Sequence, residues 1–265
     1  MAVSALVGKA FRALGVAATV VLLPLAAVAR DNAPIVAAAA DLRYALTELA
    51  GAFQAETGMG VMLTFGSSGN FARQIREGAP FEIYMAADES YVAALHRDGL
   101  TRDGGDLYAE GRIVLMVPQG SALVPDENFD NLAAMLAAGT LTRFAIANPD
   151  HAPYGLRARE ALIHRGLWDT IEPVLVLGEN VSQAAQFALS GDAEGGIIAY
   201  ALALAPEVSV QGDFVLIPQD WHQPLLQRMV LLNHAGPVAE AFYAYLRTPP
   251  ARAIMVRYGF VLPGA

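Results

Sequence analysis

From Pro34 onward the chain alternates short apolar runs with stretches whose apolar positions recur at helical spacing. Ile35 to Ala40 predicts a first strand. Leu42, Leu46, Leu49, Ala50 and Phe53 then share one helical face up to Thr57, and Gly58 and Gly60 stop that helix. Val61 to Phe65 predicts a second strand, Phe71 and Ile75 before Gly78 a short helix, Ile83 to Ala86 a third strand, and Tyr91 and Leu95 before Gly99 another helix. Arg112 to Val117 alternates into Pro118 as a strand able to run between two lobes. The rhythm then resumes, with strands at Phe144 to Ala147, Val174 to Leu177 and Gly196 to Ala199 and helices at Gly155 to His164 and Ser182 to Ser190. Strands at Phe214 to Ile217 and Arg228 to Leu232 and a helix at Val238 to Arg247 complete it. Strand followed by helix, repeated, predicts an α/β class. No repeat, low-complexity tract or Pro-rich linker divides the halves, so two lobes joined by crossing strands are expected rather than two separate domains.

The start of the chain breaks this pattern. Lys9 and Arg12 precede an apolar run from Ala13 to Ala29 interrupted only by Gly15, Thr19 and Pro24, and the small-x-small sequence Ala27, Val28, Ala29 leads at once into polar Arg30, Asp31 and Asn32. This predicts a cleavable secretory signal peptide over residues 1–29, because a retained span needs about 20 apolar residues. Lys9 is the only lysine. Once it leaves with the signal, a Walker A lysine, a pyridoxal Schiff base and a catalytic lysine are all excluded.

Composition removes further classes. Zero cysteines exclude disulfides, thiolate nucleophiles, iron–sulfur clusters and the lipid attachment point of a lipoprotein. With 17 basic against 26 acidic side chains the net charge is −9, which repels a phosphate backbone, so no nucleic-acid partner is expected. The five histidines, at 96, 151, 164, 222 and 234, form no HExxH pattern and no helical metal-ligand pair, so neither a metal site nor a cofactor is expected. Gly66-Ser67-Ser68-Gly69 is one residue short of a nucleophile elbow, and no G-x-G-x-x-G follows a strand. The chain therefore reads as a binding protein and not an enzyme. Trp168 and Trp221 read as packing anchors, His151 as a shaper of the loop before Pro153, and Asp88-Glu89 as a helix start.

What remains is a set of strand-to-helix junctions rich in small and hydroxyl residues. A helix N-terminus carries unsatisfied N–H groups and a partial positive charge, so it can hold an anion without lysine or arginine. Phe65-Gly66-Ser67-Ser68-Gly69-Asn70 and Gly178-Glu179-Asn180-Val181-Ser182 are two such junctions. Each alone is equally well read as an ordinary polar N-cap.

Taken in order, the junctions resemble those of the periplasmic molybdate- and tungstate-binding proteins of ABC importers. The likeness is carried by Ala38-Ala39-Ala40-Asp41-Leu42, Phe65-Gly66-Ser67-Ser68-Gly69 with Arg73-Gln74-Ile75, Gly78-Ala79-Pro80-Phe81 and Ala86-Ala87-Asp88. It continues through Ala147 to Gly155, Glu160-Ala161-Leu162, Gly166-Leu167-Trp168-Asp169, Gly178-Glu179-Asn180-Val181 and Tyr258-Gly259-Phe260.

The resemblance implies a two-lobed periplasmic binding fold of type II with the ligand in the cleft. Lobe I would comprise residues 30–115 and 229–265, and lobe II residues 116–228. It implies a protein that captures a tetrahedral oxyanion, molybdate or tungstate, in the periplasm and passes it to a membrane permease and ATPase, with no cofactor. No long coiled-coil seam or exposed apolar helix stands out in the sequence, so a monomer is expected. Its ligand-binding positions fall on Asp41, Ser67, Ser68, Tyr154, Val181 and Ala199, with main-chain N–H groups as the donors at Tyr154 and Val181.

Two positions depart from the family pattern. Asp41 stands where a donating serine is usual, and Ala199 where a tyrosine donates, with Tyr200 adjacent. Three accounts of Asp41 stay open: it caps the helix that starts at Leu42, it accepts a proton from a protonated ligand, or it marks a different ligand class. A second reading therefore keeps the fold and takes a protonated oxyanion or a small organic anion. Tyr154 is expected to lend its hydroxyl in place of the missing tyrosine.

Overall fold

A computed structural model describes residues 33–264. The expected signal peptide lies outside the described residues. The chain opens with β1 (Ile35–Ala39), a single 3-10 turn at Ala40–Leu42, and α1 (Arg43–Thr57), which ends on Gly58 in the left-handed conformation at φ 75°. β2 (Met62–Gly66), α2 (Ser68–Arg76), β3 (Phe81–Ala86), α3 (Glu89–Arg97) and β4 (Asp106–Gly111) follow. The chain then enters a second sheet with β5 (Ile113–Pro118), α4 (Asp130–Ala137), β6 (Phe144–Ala147), α5 (Pro153–His164), α6 (Trp168–Ile171), β7 (Leu175–Gly178) and α7 (Val181–Leu189). β8 (Gly195–Ala199), α8 (Tyr200–Ala203), α9 (Pro206–Ser209) and β9 (Gly212–Leu216) complete that lobe, and β10 (Leu225–Leu231), α10 (Pro237–Tyr245) and α11 (Pro249–Arg257) return to the first.

Each lobe is a five-stranded sheet, ordered β2-β1-β3-β10-β4 and β7-β6-β8-β5-β9. In both, four strands run in the same direction, and one, β10 or β5, runs antiparallel in the fourth position. The first sheet is buried on both faces. Val36, Ala38, Ile83, Met85 and Met229 pack toward α1, α10 and α11, while Ala37, Tyr84, Ala86 and Val230 pack toward α2 and α3. Burial on both faces explains why these strands read as continuous apolar runs rather than alternating ones. Because the strands that feed α2, α5 and α7 are parallel within their sheets, their carboxyl ends and the helix starts that follow point to one side, where α/β sheets bind ligands.

The structure differs from the sequence expectation in particular places. Arg112 to Val117 does not bridge the lobes as a strand: β5 is fully buried in the second sheet, between β8 and β9. The chain crosses at Arg112 between β4 and β5, beside Gly111, where a Cβ would meet the Tyr154 hydroxyl, and crosses back between β9 and β10. Six further elements, β4, α4, α6, α8, α9 and α11, lie where no element was expected. The Asp88-Glu89 reading holds, since Asp88 is the N-cap of α3 and its carboxylate accepts from the Ser90 N–H at 2.9 Å. Trp168 and Trp221 pack as expected, but each also carries a guanidinium over its ring, Arg159 at 5.0 Å and Arg165 at 5.2 Å.

Candidate functional site

Three helix N-termini meet between the lobes: α2 from the first, α5 and α7 from the second. An α-helix leaves its first N–H groups without intrahelical partners, and local bonds here take up all but one at each start. At α2 the Ser67 hydroxyl accepts from the Asn70 N–H, and the Gly69 N–H donates across the cleft to the His151 carbonyl at 2.9 Å, leaving the Ser68 N–H. At α5 the first residue is Pro153, which has no N–H. Gly155 and Leu156 donate to the Ala152 carbonyl, leaving the N–H of Tyr154. At α7 the Asn180 side chain accepts from Ser182 and Gln183, leaving the N–H of Val181.

Ser67, Ser68, Tyr154 and Val181 all line one small cavity, together with Asp41, Asn180 and the apolar walls of Ala39, Ala40, Ala87, Ala152 and Pro153. Its volume is about 10 Å³, the scale of one water molecule. No arginine, lysine or histidine lines it. A larger hollow of about 330 Å³ lies near α1 and α7, but its one cation, Arg43, is already engaged by the Ser182 hydroxyl and the Phe65 ring.

The hydroxyls are oriented from behind. The Ser68 hydroxyl accepts from the Ala87 N–H at 3.0 Å, which leaves its own proton free to point into the cavity, and the Tyr84 hydroxyl fixes the Ser68 carbonyl at 2.7 Å. Ser67 lies 2.9 Å from His151 Nδ1, so His151, expected only to shape its loop, joins the two lobes. Further bonds cross the same seam: the Ser182 hydroxyl donates to the Ala40 carbonyl at 2.8 Å, Asn70 pairs with Glu179, and buried Arg157 on α5 pairs with Asp88 at 2.7 Å.

Asp41 is 1% exposed and makes no capping bond to α1, so the capping account is not met. Its Oδ2 instead accepts from the Tyr154 hydroxyl at 2.9 Å and from Gln227 Nε2 at 2.7 Å. The Gln227 amide is held in that sense by the Tyr108 hydroxyl, which donates to its Oε1 at 2.7 Å. Oδ1 is buried with no protein partner. Burial pushes the Asp41 carboxyl up from its ordinary 3.8 to about 6, against the opposing pull of the bonds from Gln227 and Tyr154 and of the nearby Asp41 and Leu42 backbone N–H groups. Burial, reinforced by the nearby Asp41 charge, holds the Tyr154 and Tyr108 hydroxyls far above their usual range, so both remain donors.

Of the six residues singled out in the sequence, five converge on this cavity. Ala199 does not: it ends β8, is fully buried in the core and is absent from the cavity wall. Tyr200 beside it packs edge-on against Phe214, and its ring lies 2.7 Å from where a Cβ on Gly259 would sit. The Tyr154 hydroxyl, expected to face the ligand, is instead given to Asp41. Gln227 and Tyr108 were missed. The available signal was a glutamine inside the apolar strand Leu225 to Leu231, where it is fully buried.

Two α/β lobes closing on a small cavity lined by main-chain and hydroxyl donors have the architecture of a solute-binding protein. The chain belongs to the bacterial extracellular solute-binding protein family, whose model matches residues 35–261. It is 35% identical to the molybdate-binding protein ModA of Rhodobacter capsulatus over 93% of this chain and 95% of that protein. To ModA of Azotobacter vinelandii it is 33% identical, over 86% of this chain and 89% of that protein. The structure of the Azotobacter vinelandii periplasmic molybdate-binding protein matches with a TM-score of 0.77 at 32% identity, covering 87% of this chain and 99% of that one.

Proposed function

We propose that this protein is a periplasmic solute-binding protein that captures a tetrahedral oxyanion, molybdate or tungstate, and delivers it as a monomer to the permease and ATPase of an ABC importer. The observation that carries the reading is the convergence of the free N–H groups of Ser68, Tyr154 and Val181 on a cavity with no cationic side chain. Helix N-termini stabilise an anion through fixed partial charge, and the Ser67 and Ser68 hydroxyls add donors. In this reading residues 1–29 are the export signal, residues 30–112 with 225–265 form lobe I and residues 113–224 form lobe II, a few residues off the expected bounds of 30–115 with 229–265 and 116–228 because β5 pairs in the second sheet and β10 in the first. Asp41, Ser67 and Ser68 contact the anion from lobe I, and the Tyr154 and Val181 main chain from lobe II. Ala199 supplies no donor.

Selectivity follows from the fixed donor positions. Sulfate has shorter bonds than molybdate and leaves some donors unpaired, at about 1–3 kcal/mol for each buried group. Binding couples to closure because both lobes supply donors.

The test is calorimetric titration of the protein, refolded to remove carried ligand, with molybdate, tungstate, sulfate and phosphate. Saturable binding of the two metal oxyanions at one per chain, with sulfate silent, is expected. Silence toward molybdate and tungstate, with a response to sulfate or phosphate, overturns the assignment.

A further inference from the structure

Asp41 is the one acidic side chain in the cavity wall, and its two oxygens are treated differently by the fold. Oδ2 is saturated by donors from both lobes, the Tyr154 hydroxyl from α5 and Gln227 Nε2 from β10, while Oδ1 is buried without a protein partner. The Tyr108–Gln227 bond locks the amide so that its NH₂ and not its carbonyl meets Asp41. A carboxyl group held this way has its proton position left for Oδ1. We infer that Asp41 meets the anion as a neutral carboxylic acid, donating from Oδ1 to a ligand oxygen, so that each tetrahedral dianion is captured together with one proton.

This rests on the oxyanion reading above and deepens it: Asp41 becomes the residue that sets which total protonation state the site accepts. The proton comes from solvent and no bond other than the O–H is made or broken. A serine at this position would donate without any proton uptake, whereas an ionised carboxylate could only accept.

Burial without a cationic partner favours the neutral acid, against the positive helix starts and the hydrogen-bond donors around it. The titratable groups facing Asp41 are Tyr154 from α5 and Tyr108 from β4, and both stay protonated in their buried places. The charged side chains on the packed elements are committed elsewhere: Arg43 to Ser182, Arg157 to Asp88 and Glu160, Arg228 to Glu89, and Glu110 to Gln219. No described basic side chain hydrogen-bonds or ion-pairs with Asp41. Burial has already raised its carboxyl to about 6, and an anion beside Oδ1 raises it further.

The experiment is calorimetric titration with molybdate at pH 6, 7, 8 and 9, repeated at pH 8 in two buffers of different ionisation enthalpy, on the wild-type protein, Asp41→Ser and Asp41→Asn. The wild type is expected to take up about one proton per anion at pH 8, and its affinity to fall about tenfold for each pH unit above 7. Both variants are expected to bind with no proton uptake and with an affinity independent of pH. Wild-type binding without proton uptake overturns the inference, as does uptake that persists in Asp41→Ser. Binding by Asp41→Ser with a silent wild type at every pH also overturns it, and leaves the oxyanion reading standing. Silence of all three proteins overturns that reading and the inference with it.

Discussion

The two rims of the cleft solve one problem by different chemistry. The first-lobe rim adds side chains to the one free backbone N–H of Ser68: the hydroxyls of Ser67 and Ser68 and the carboxyl of Asp41, each oriented by buried partners such as Ala87 and Gln227. The second-lobe rim offers backbone: the N–H groups of Tyr154 and Val181, at helix starts whose other donors are already satisfied. Side-chain donors are encoded letter by letter and can be replaced, as Asp41 shows. Backbone donors are encoded in the turn that presents them, so almost any residue can stand there if the turn survives. Substitutions on the first rim should therefore change which anion binds, while those on the second should change stability more than recognition.

The largest expected effect comes from the bond that ties the rims together. Arg157 on α5 is 7% exposed and pairs with Asp88 at the start of α3 and with Glu160 on its own helix. Removing one partner of a buried pair leaves an uncompensated charge and costs about 3–5 kcal/mol. Asp88 keeps some contact with solvent, so Arg157→Ala is expected at the lower end, about 3 kcal/mol, in urea unfolding. A loss under about 1 kcal/mol would show that the seam is held by its other contacts.

Second in size is the cost of keeping Asp41 in the first rim. Its folded-state carboxyl lies near 6 against an ordinary 3.8, so the folded protein binds the proton more tightly than the unfolded chain. The stability this gives is fully present below about pH 4 and is lost as pH rises to about 6, amounting to about 3 kcal/mol across that window. In Asp41→Asn the amide oxygen can keep the bonds from Tyr154 and Gln227, and nothing ionises. The variant should match the wild type near pH 4 and exceed it by about 1–3 kcal/mol above pH 6 in urea unfolding. Comparing the two proteins at each pH cancels the opposite trend from Asp126 and Glu194, whose carboxyls are held low by the N–H groups and the hydroxyl bonded to them. A gap that does not widen with pH would mean that Asp41 is ionised at little cost.

Closeness of the rims gives the third effect. A Cβ at Gly69 would lie 2.7 Å from the His151 carbonyl and 3.0 Å from its Cβ, across the cleft. Gly69→Ala is therefore expected to hold the lobes apart while each still folds, costing about 1–3 kcal/mol of closure, or about 5- to 150-fold in anion affinity. Unchanged affinity would mean that the His151 loop yields without disturbing the donors.

Much of this arrangement can be read from the sequence, and what cannot has a physical reason. The central parallel strands are buried on both faces, so runs such as Ile35 to Ala39 and Phe144 to Ala147 declare themselves, and the Ser67 and Asn180 junctions show as polar N-caps. β4 carries Asp106 and Glu110 and lies at the end of its sheet beside β10, so no apolar run marks it. α11 begins with Pro249-Pro250, a start signal that invites reading as a break. Within the site, Asp41 looked like a cap because local sequence favours that reading. Its actual partners, Tyr154 and Gln227, lie 113 and 186 residues away along the chain. Only the folded topology brings them together.

The smallest effect is the sharpest test of the contrast between the rims. Ser68 and Val181 occupy equivalent places, each the first residue of its helix with a free N–H at the cavity. Ser68→Ala removes a hydroxyl donor and also leaves the Ala87 N–H without its acceptor. It should weaken molybdate binding by about 1–3 kcal/mol, or about 5- to 150-fold. Val181→Ala keeps the N–H and removes two buried methyl groups, so it should cost about 1–2 kcal/mol in urea unfolding while the anion affinity changes by less than about threefold. If Val181→Ala weakened binding as much as Ser68→Ala, the second rim would be reading its ligand through side chains. The division between encoded letters and encoded turns would then fail.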